Sequence, residues 1–194
     1  MRRLLWLAAT SAALVGGPPR RRRVAPLRVF GRQGIDLRPL RPLVDVVEEE
    51  YITADSKLTK DRSVVITIDD AYLSVFTEAW PRLREKGFPF TVFVATDPID
   101  KRHPNYMSWD QLRQLQASGI DIGSQTKTHP HMHQISPAEV DSELSSSNRR
   151  FLSELGLRPT LFAYPYGEYN LAVIERVKAA GFTAAFGQNS GIAH

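Results

Sequence analysis

The chain has no cysteine among its 194 residues. Disulfides, thiolate nucleophiles and cysteine-ligated zinc are therefore excluded, while the compartment stays open. It also lacks an apolar run long enough to cross a bilayer comfortably: Leu4 to Gly17 supplies 14 residues against the ~20 a spanning helix needs. No tandem repeat or low-complexity tract is present. Acidic residues are missing from the first 23 positions, which hold six arginines (Arg2, Arg3 and Arg20 to Arg23). That leader carries the basic charge. The formal net charge is +4, but without the leader Lys+Arg falls from 25 to 19 against 21 Asp+Glu, a net of −2. The body is mildly acidic, and nucleic acid is excluded as its main partner.

A hydrophobic content of 42% is enough for one buried core, hence one domain with a tail. Met1-Arg2-Arg3, the apolar run and the small residues Gly16 and Gly17 have the form of a secretory signal peptide. Residues 1–23 are thus expected to export the chain to the periplasm, the cell envelope or the exterior, and to be its only contact with a membrane. Residues 24–62, rich in Pro and Arg and then acidic at Glu48 to Glu50, form an irregular approach segment. A regular pattern, and the domain proper, begins at Ser63.

Val64 to Ile68 is a β-branched run that predicts a buried strand. Apolar spacing over Val75 to Lys86 predicts a helix closed by Gly87, with Pro81 as the point where it splits or kinks. Phe90 to Ala95 reads as a second strand. Ser108 and Gln111 form a capping box for a helix ended by Gly119, and Ile120 to Gly123 is a third strand. Ser136, Pro137 and Glu139 open a long helix that Gly156 ends. A fourth strand at Leu161 to Ala163, a helix over Leu171 to Ala180 and a fifth strand at Ala184 to Phe186 complete the order. Alternating strands and helices predict an α/β fold with parallel strands and right-handed crossovers. A (β/α) barrel and an open doubly wound sheet both place their sites at the strand ends, where this chain collects its polar residues.

Three of those strand ends carry chemistry. Asp69-Asp70 follows the first strand: two neighbouring carboxylates there either hold a cation with one left as a base, or decorate a helix N-terminus. Gln125 to His133 follows the third strand and places His129, His131 and His133 at alternate positions, as a zinc-suited cluster or a polar loop. Tyr164-Pro165-Tyr166-Gly167 follows the fourth; Pro165 and Gly167 can aim a backbone N–H, and Tyr164 and Tyr166 offer flat surfaces to a sugar ring. His103 to Tyr106 reads as a solvated loop, Arg149-Arg150 as a solvated helix face, and Trp80 and Phe88 as packing residues.

In this order, the three segments resemble the polysaccharide deacetylase (NodB-homology) domain of carbohydrate esterase family 4, which carries Thr-Phe-Asp-Asp-Gly, then His-Ser/Thr-x-x-His, then Arg-x-Pro-Tyr. The resemblance implies a distorted (β/α) barrel. It also implies a hydrolase that removes N-acetyl groups from cell-surface or extracellular polysaccharide with a divalent metal ion, Zn2+ by its ligands. Asp69 would be the catalytic base, Asp70 and His129 metal ligands, and the Tyr166 N–H an oxyanion donor beside the substrate-contacting Tyr164 and Pro165.

This chain departs from the pattern at three points. The family's first metal histidine falls on Gln125, so the third ligand is Gln125 itself, His131 or His133. The motif-three arginine falls on Ala163. The family's last motifs fall beyond His194, so the barrel is expected to be incomplete at its C-terminus. Two further readings stay open: a carbohydrate-binding pseudoenzyme of the same fold, and a xylan or ester deacetylase.

Overall fold

The structure is a computed structural model that describes residues 66–187. The leader, the approach segment, Val64-Val65 and the C-terminal Ala193-His194 lie outside the described residues. Five strands form one sheet: β1 (Thr67–Ile68), β2 (Thr91–Val94), β3 (Asp121–Ser124), β4 (Leu161–Ala163) and β5 (Ala184–Phe186). They lie in sequence order β1-β2-β3-β4-β5, and every pair is parallel. A doubly wound sheet reverses its strand order at a switch point, whereas a (β/α) barrel does not. The order seen is the barrel's, with five strands of its wall among the described residues.

The helices are α1 (Trp80–Glu85), α2 (Thr96–Asp100), α3 (Trp109–Ala117), α4 (Pro137–Leu155) and α5 (Leu171–Ala179). The capping signals form as the sequence predicts: Ser108 with Gln111, and Ser136 with Glu139, each make a reciprocal capping box. Gly156 ends α4 with φ 65°. The predicted helix over Val75 to Lys86 differs in form. Its first part, Val75–Ala79, is a π-helical turn in which the Trp80 N–H donates to Val75 O. Pro81 explains it: a proline has no N–H, and its ring would strike the carbonyl four residues back. The short helix α2 went unread because Thr96-Asp97 looked like a polar strand end.

Alternation along the strands sorts the core. Val92 and Val94 join Ile68, Leu112, Leu115 and Phe151 in the layer between sheet and helices. A second part of that layer gathers Met132, Leu144, Phe162, Tyr164 and Val173. Phe93, between Val92 and Val94, points to the opposite face and packs with Ala163 and Phe186, its ring 5.2 Å from that of Phe186. Gly123 sits in register beside Phe93, and a Cβ there would fall on the Phe93 ring. The glycine makes room for the ring that fills the barrel interior.

Phe88 is buried and Trp80 packs partly against the same layer. Arg150 corrects the reading of a solvated pair: it spans the Trp109 ring and pairs with Asp100 and Glu154. Tyr106 is likewise no free loop residue, since it forms an antiparallel bridge with Tyr72.

Candidate active site

Six non-glycine residues have positive φ among those described: Asp70, Ala71, Arg102, Thr126, His129 and Tyr166. Five of them belong to the three loops singled out in the sequence. Each such residue costs on the order of 1 kcal/mol or more and persists only where its surroundings hold it. Thr126 is the most telling, because a β-branched side chain tolerates this region poorly.

The first loop leaves β1 through Asp69 and turns at Asp70 (φ 69°) and Ala71 (φ 49°). A strap from the α2–α3 connection holds it: Met107 N–H donates to Ala71 O at 2.9 Å and Leu73 N–H to Asn105 O at 2.8 Å. Asp69 Oδ1 is shut off from solvent and has no hydrogen-bond partner. Burial, and next the charge of Asp70, push its carboxyl up from 3.8 to about 7. Beside it, the Tyr72 phenol is pushed well above its ordinary range, first by burial and then by Tyr106 and Asp70. The Tyr72 and Tyr106 rings lie 4.8 Å apart.

The second loop follows β3. Gln125 is buried, and its Oε1 accepts the Asp70 N–H at 3.2 Å, which ties the first loop to the second. Thr126 Oγ1 accepts the His129 N–H at 3.0 Å. Behind the loop, Glu143 of α4 accepts from Lys127 N–H at 2.9 Å, Thr128 N–H at 2.7 Å and the Thr128 hydroxyl at 2.8 Å. His129 Nε2 thereby stands 3.5 Å from Asp70 Oδ1. Burial holds the His129 imidazole below its ordinary pKa, against the opposing pull of Asp70. It is neutral at pH 7 and able to act as a ligand.

The third loop separates its two tyrosines, which stand on equal terms in the motif. Tyr164 is 6% exposed and packs on Phe162 and Tyr169, while Pro165 is buried. Tyr166 is 49% exposed, with φ 59° and its ring 4.6 Å from that of His129. Of the two, only Tyr166 offers a ring at the surface. Ala163 stands against Phe93 and Phe186 in the barrel interior. Residue 163 therefore brings no guanidinium to the site.

Asp69, Asp70, Gln125, His129 and Tyr166 therefore come together; His131 stacks on Tyr166, but its Nδ1 and that of His133 face Glu168 rather than Asp70. Among the described residues, no group of three His, Asp or Glu side chains could hold a metal ion. Two donors bound at ~2.0–2.1 Å to a tetrahedral ion lie about 3.4 Å apart. The 3.5 Å between Asp70 and His129 suits that arrangement. The third donor available is Gln125 Oε1, a weaker one and already engaged by Asp70. Asp70 and His129 fit an ion; the third position is filled poorly.

Glu143, Glu168 and Tyr72 were missed in the sequence. Tyr72, three residues after Asp69, was within reach of a motif reading. The two glutamates gave no local signal.

The sequence profile of the polysaccharide deacetylase family matches residues 56–185. This chain belongs to that family. It is 25% identical over 151 residues to the poly-beta-1,6-N-acetyl-D-glucosamine N-deacetylase of Staphylococcus aureus (strain MRSA252), a match covering 70% of this chain and 51% of that protein. The chain spans about half the length of such curated relatives. Its fold superposes on the deacetylase domain of Bordetella bronchiseptica BpsB with a TM-score of 0.66, at 20% identity over 85% of this chain and 82% of that domain. The family 4 carbohydrate esterase from Streptomyces lividans, solved with acetate, aligns with a TM-score of 0.51 and 28% identity, covering 60% of this chain and 57% of that one. No helix among the described residues is long and apolar enough to cross a membrane.

Proposed function

We propose that this polysaccharide deacetylase relative hydrolyses N-acetyl groups on an exported, N-acetylated polysaccharide, with Asp69 as the base. One observation carries the reading: a carboxylate with an unpaired, buried oxygen and a pKa near neutrality lies beside a carboxylate–imidazole pair spaced for a cation. A base poised near the working pH combines the right protonation state with driving force for proton transfer. Asp70 and His129 would hold the divalent ion, zinc being well suited to imidazole, with Gln125 Oε1 as a weak third donor. When bound, such an ion supplies a Lewis acid that polarises the acetamide carbonyl and acidifies water.

Asp69 takes a proton from the attacking water, and the Tyr166 N–H donates to the oxygen that gains charge. The exposed Tyr166 ring carries the sugar. Poly-N-acetylglucosamine is the substrate class favoured by the Staphylococcus relative's name, and the signal-like leader favours an extracellular polymer.

A second reading, glycan binding without turnover, draws on the engagement of Gln125 Oε1 by the Asp70 N–H and on the alanine at position 163. One experiment separates the two. Purified chain is incubated with an N-acetylglucosamine pentamer and zinc, cobalt or nickel; acetate release is measured beside calorimetric binding. Release that disappears in Asp69→Asn supports hydrolysis. Binding with no release under any of the three ions supports the second reading.

A further inference from the structure

Glu168 takes no part in the chemistry above, yet it meets two of the three loop histidines. Its Oε2 lies 2.7 Å from His131 Nδ1 and 3.4 Å from His133 Nδ1. An ionised carboxylate only accepts, so His131 Nδ1 carries the hydrogen. His131 then lies flat on Tyr166, with centroids 3.9 Å apart and planes 12° from parallel. His129 makes an edge contact with the same ring, with centroids 4.6 Å apart.

The turn around Tyr166 has its own backbone bonds, Gly167 N–H to Tyr164 O at 2.7 Å and Glu168 N–H to Pro165 O at 3.2 Å. Those bonds shape the main chain but leave the direction of a half-exposed ring undetermined. The histidine stack fixes that direction, and Glu168 fixes the histidine. An exposed side-chain contact of this kind adds little to global stability. What it adds is order in one side chain, which lowers the entropy lost when a ligand binds.

We propose that Glu168 is a positioning residue: by clamping His131 it orients the Tyr166 ring as a preformed platform for a sugar unit. The clamp joins the loop after β3 to the loop after β4, across the rim where the substrate would lie. The functional part of this inference rests on the deacetylase reading; the structural part does not.

The test uses the full chain with 13C-labelled tyrosine rings, comparing wild type, Glu168→Ala, Glu168→Gln, His131→Ala and the Glu168→Ala/His131→Ala double variant. The Tyr166 ring resonances are expected to move in Glu168→Ala as they do in His131→Ala, and the double variant to match either single one, since the two side chains act in series. Glu168→Gln, which keeps an oxygen acceptor, is expected to stay near wild type. Affinity for an N-acetylglucosamine pentamer should fall about tenfold in Glu168→Ala, the loss of one pre-ordered side chain, at an unchanged melting temperature. Unmoved Tyr166 resonances, or losses in the two single variants that add in the double, overturn the clamp. If the wild type binds no pentamer, the glycan reading fails, and the ring spectra still decide the clamp.

Discussion

Asp69 and Asp100 are the same side chain under opposite treatment. Asp100, the last residue of α2, accepts Trp109 Nε1 at 2.8 Å and two nitrogens of Arg150, the nearest at 2.6 Å. Burial pushes its carboxyl up, but the hydrogen bonds from Arg150 and Trp109 outweigh it and hold the pKa below the usual carboxylate range. Asp69, at the end of β1, meets burial and a second negative charge, keeps an oxygen unpaired, and rises to about 7. The first arrangement staples three helices together. The second gives up stability and gains a group that exchanges protons near neutral pH.

The largest effect that sharpens this contrast is expected from Asp69→Asn, with acetate release falling about a thousandfold as the base is lost. The same variant should alter the pH dependence of stability. The folded pKa near 7 lies above the unfolded 3.8, so the unfolded chain releases its proton first. Stability therefore falls as pH rises from about 4 to about 7 and stays low above, by up to ~4 kcal/mol, taking about 1.4 kcal/mol per pKa unit. Urea titrations at pH 5 and pH 8 should show the ~3 kcal/mol of this drop that lies between those values in the wild type, and lose it in Asp69→Asn. A drop of equal size in both proteins assigns it to other groups.

Asp100→Ala should act in the reverse sense. It leaves Arg150 with Glu154 alone as its ion-pair partner and Trp109 Nε1 without its acceptor, at a cost of about 2 kcal/mol for these partly exposed groups. Denaturant midpoints should fall while acetate release per folded molecule holds. Gln125→His adds an imidazole where an amide now stands, and is expected to raise zinc retention about tenfold on dialysis, with turnover rising alongside. Unchanged retention would mean that the third ligand comes from elsewhere. The smallest effect is expected from Tyr72→Phe, which removes a hydroxyl that meets Tyr106 and Asp70. Acetate release should fall a few-fold, with the Asp69-dependent pH profile preserved.

Much of this architecture was legible because it rests on local chemistry. The capping residues Ser108, Ser136 and Gly156 mark their helix ends, and the β-branched and aromatic runs mark the strands. The Asp-Asp, histidine and Pro-Tyr-Gly segments follow strands in a recognisable order. The π-helical turn before Pro81 was not legible, since proline in a helix is relieved in several ways and packing chooses among them. The fate of the three histidines was equally hidden. Alternation places His129, His131 and His133 on similar terms, and only φ 60° at His129, with Glu168 35 residues beyond His133, sends one inward and two aside.

The sequence by itself determined which residue types stand at the strand ends, since backbone propensity, capping and the hydrophobic period act over a few neighbours. It also determined that an amide and an alanine replace a histidine and an arginine of the family pattern. The tertiary structure alone decided the strand order that selects a barrel wall over a doubly wound sheet. It alone decided that Gln125 grips the Asp70 backbone, that Tyr164 is buried while Tyr166 is exposed, and that Asp69 Oδ1 is buried without a hydrogen-bond partner. The reason is physical: desolvation, charge–charge coupling and ring stacking depend on distances through space, and those exist only once the strands have come together.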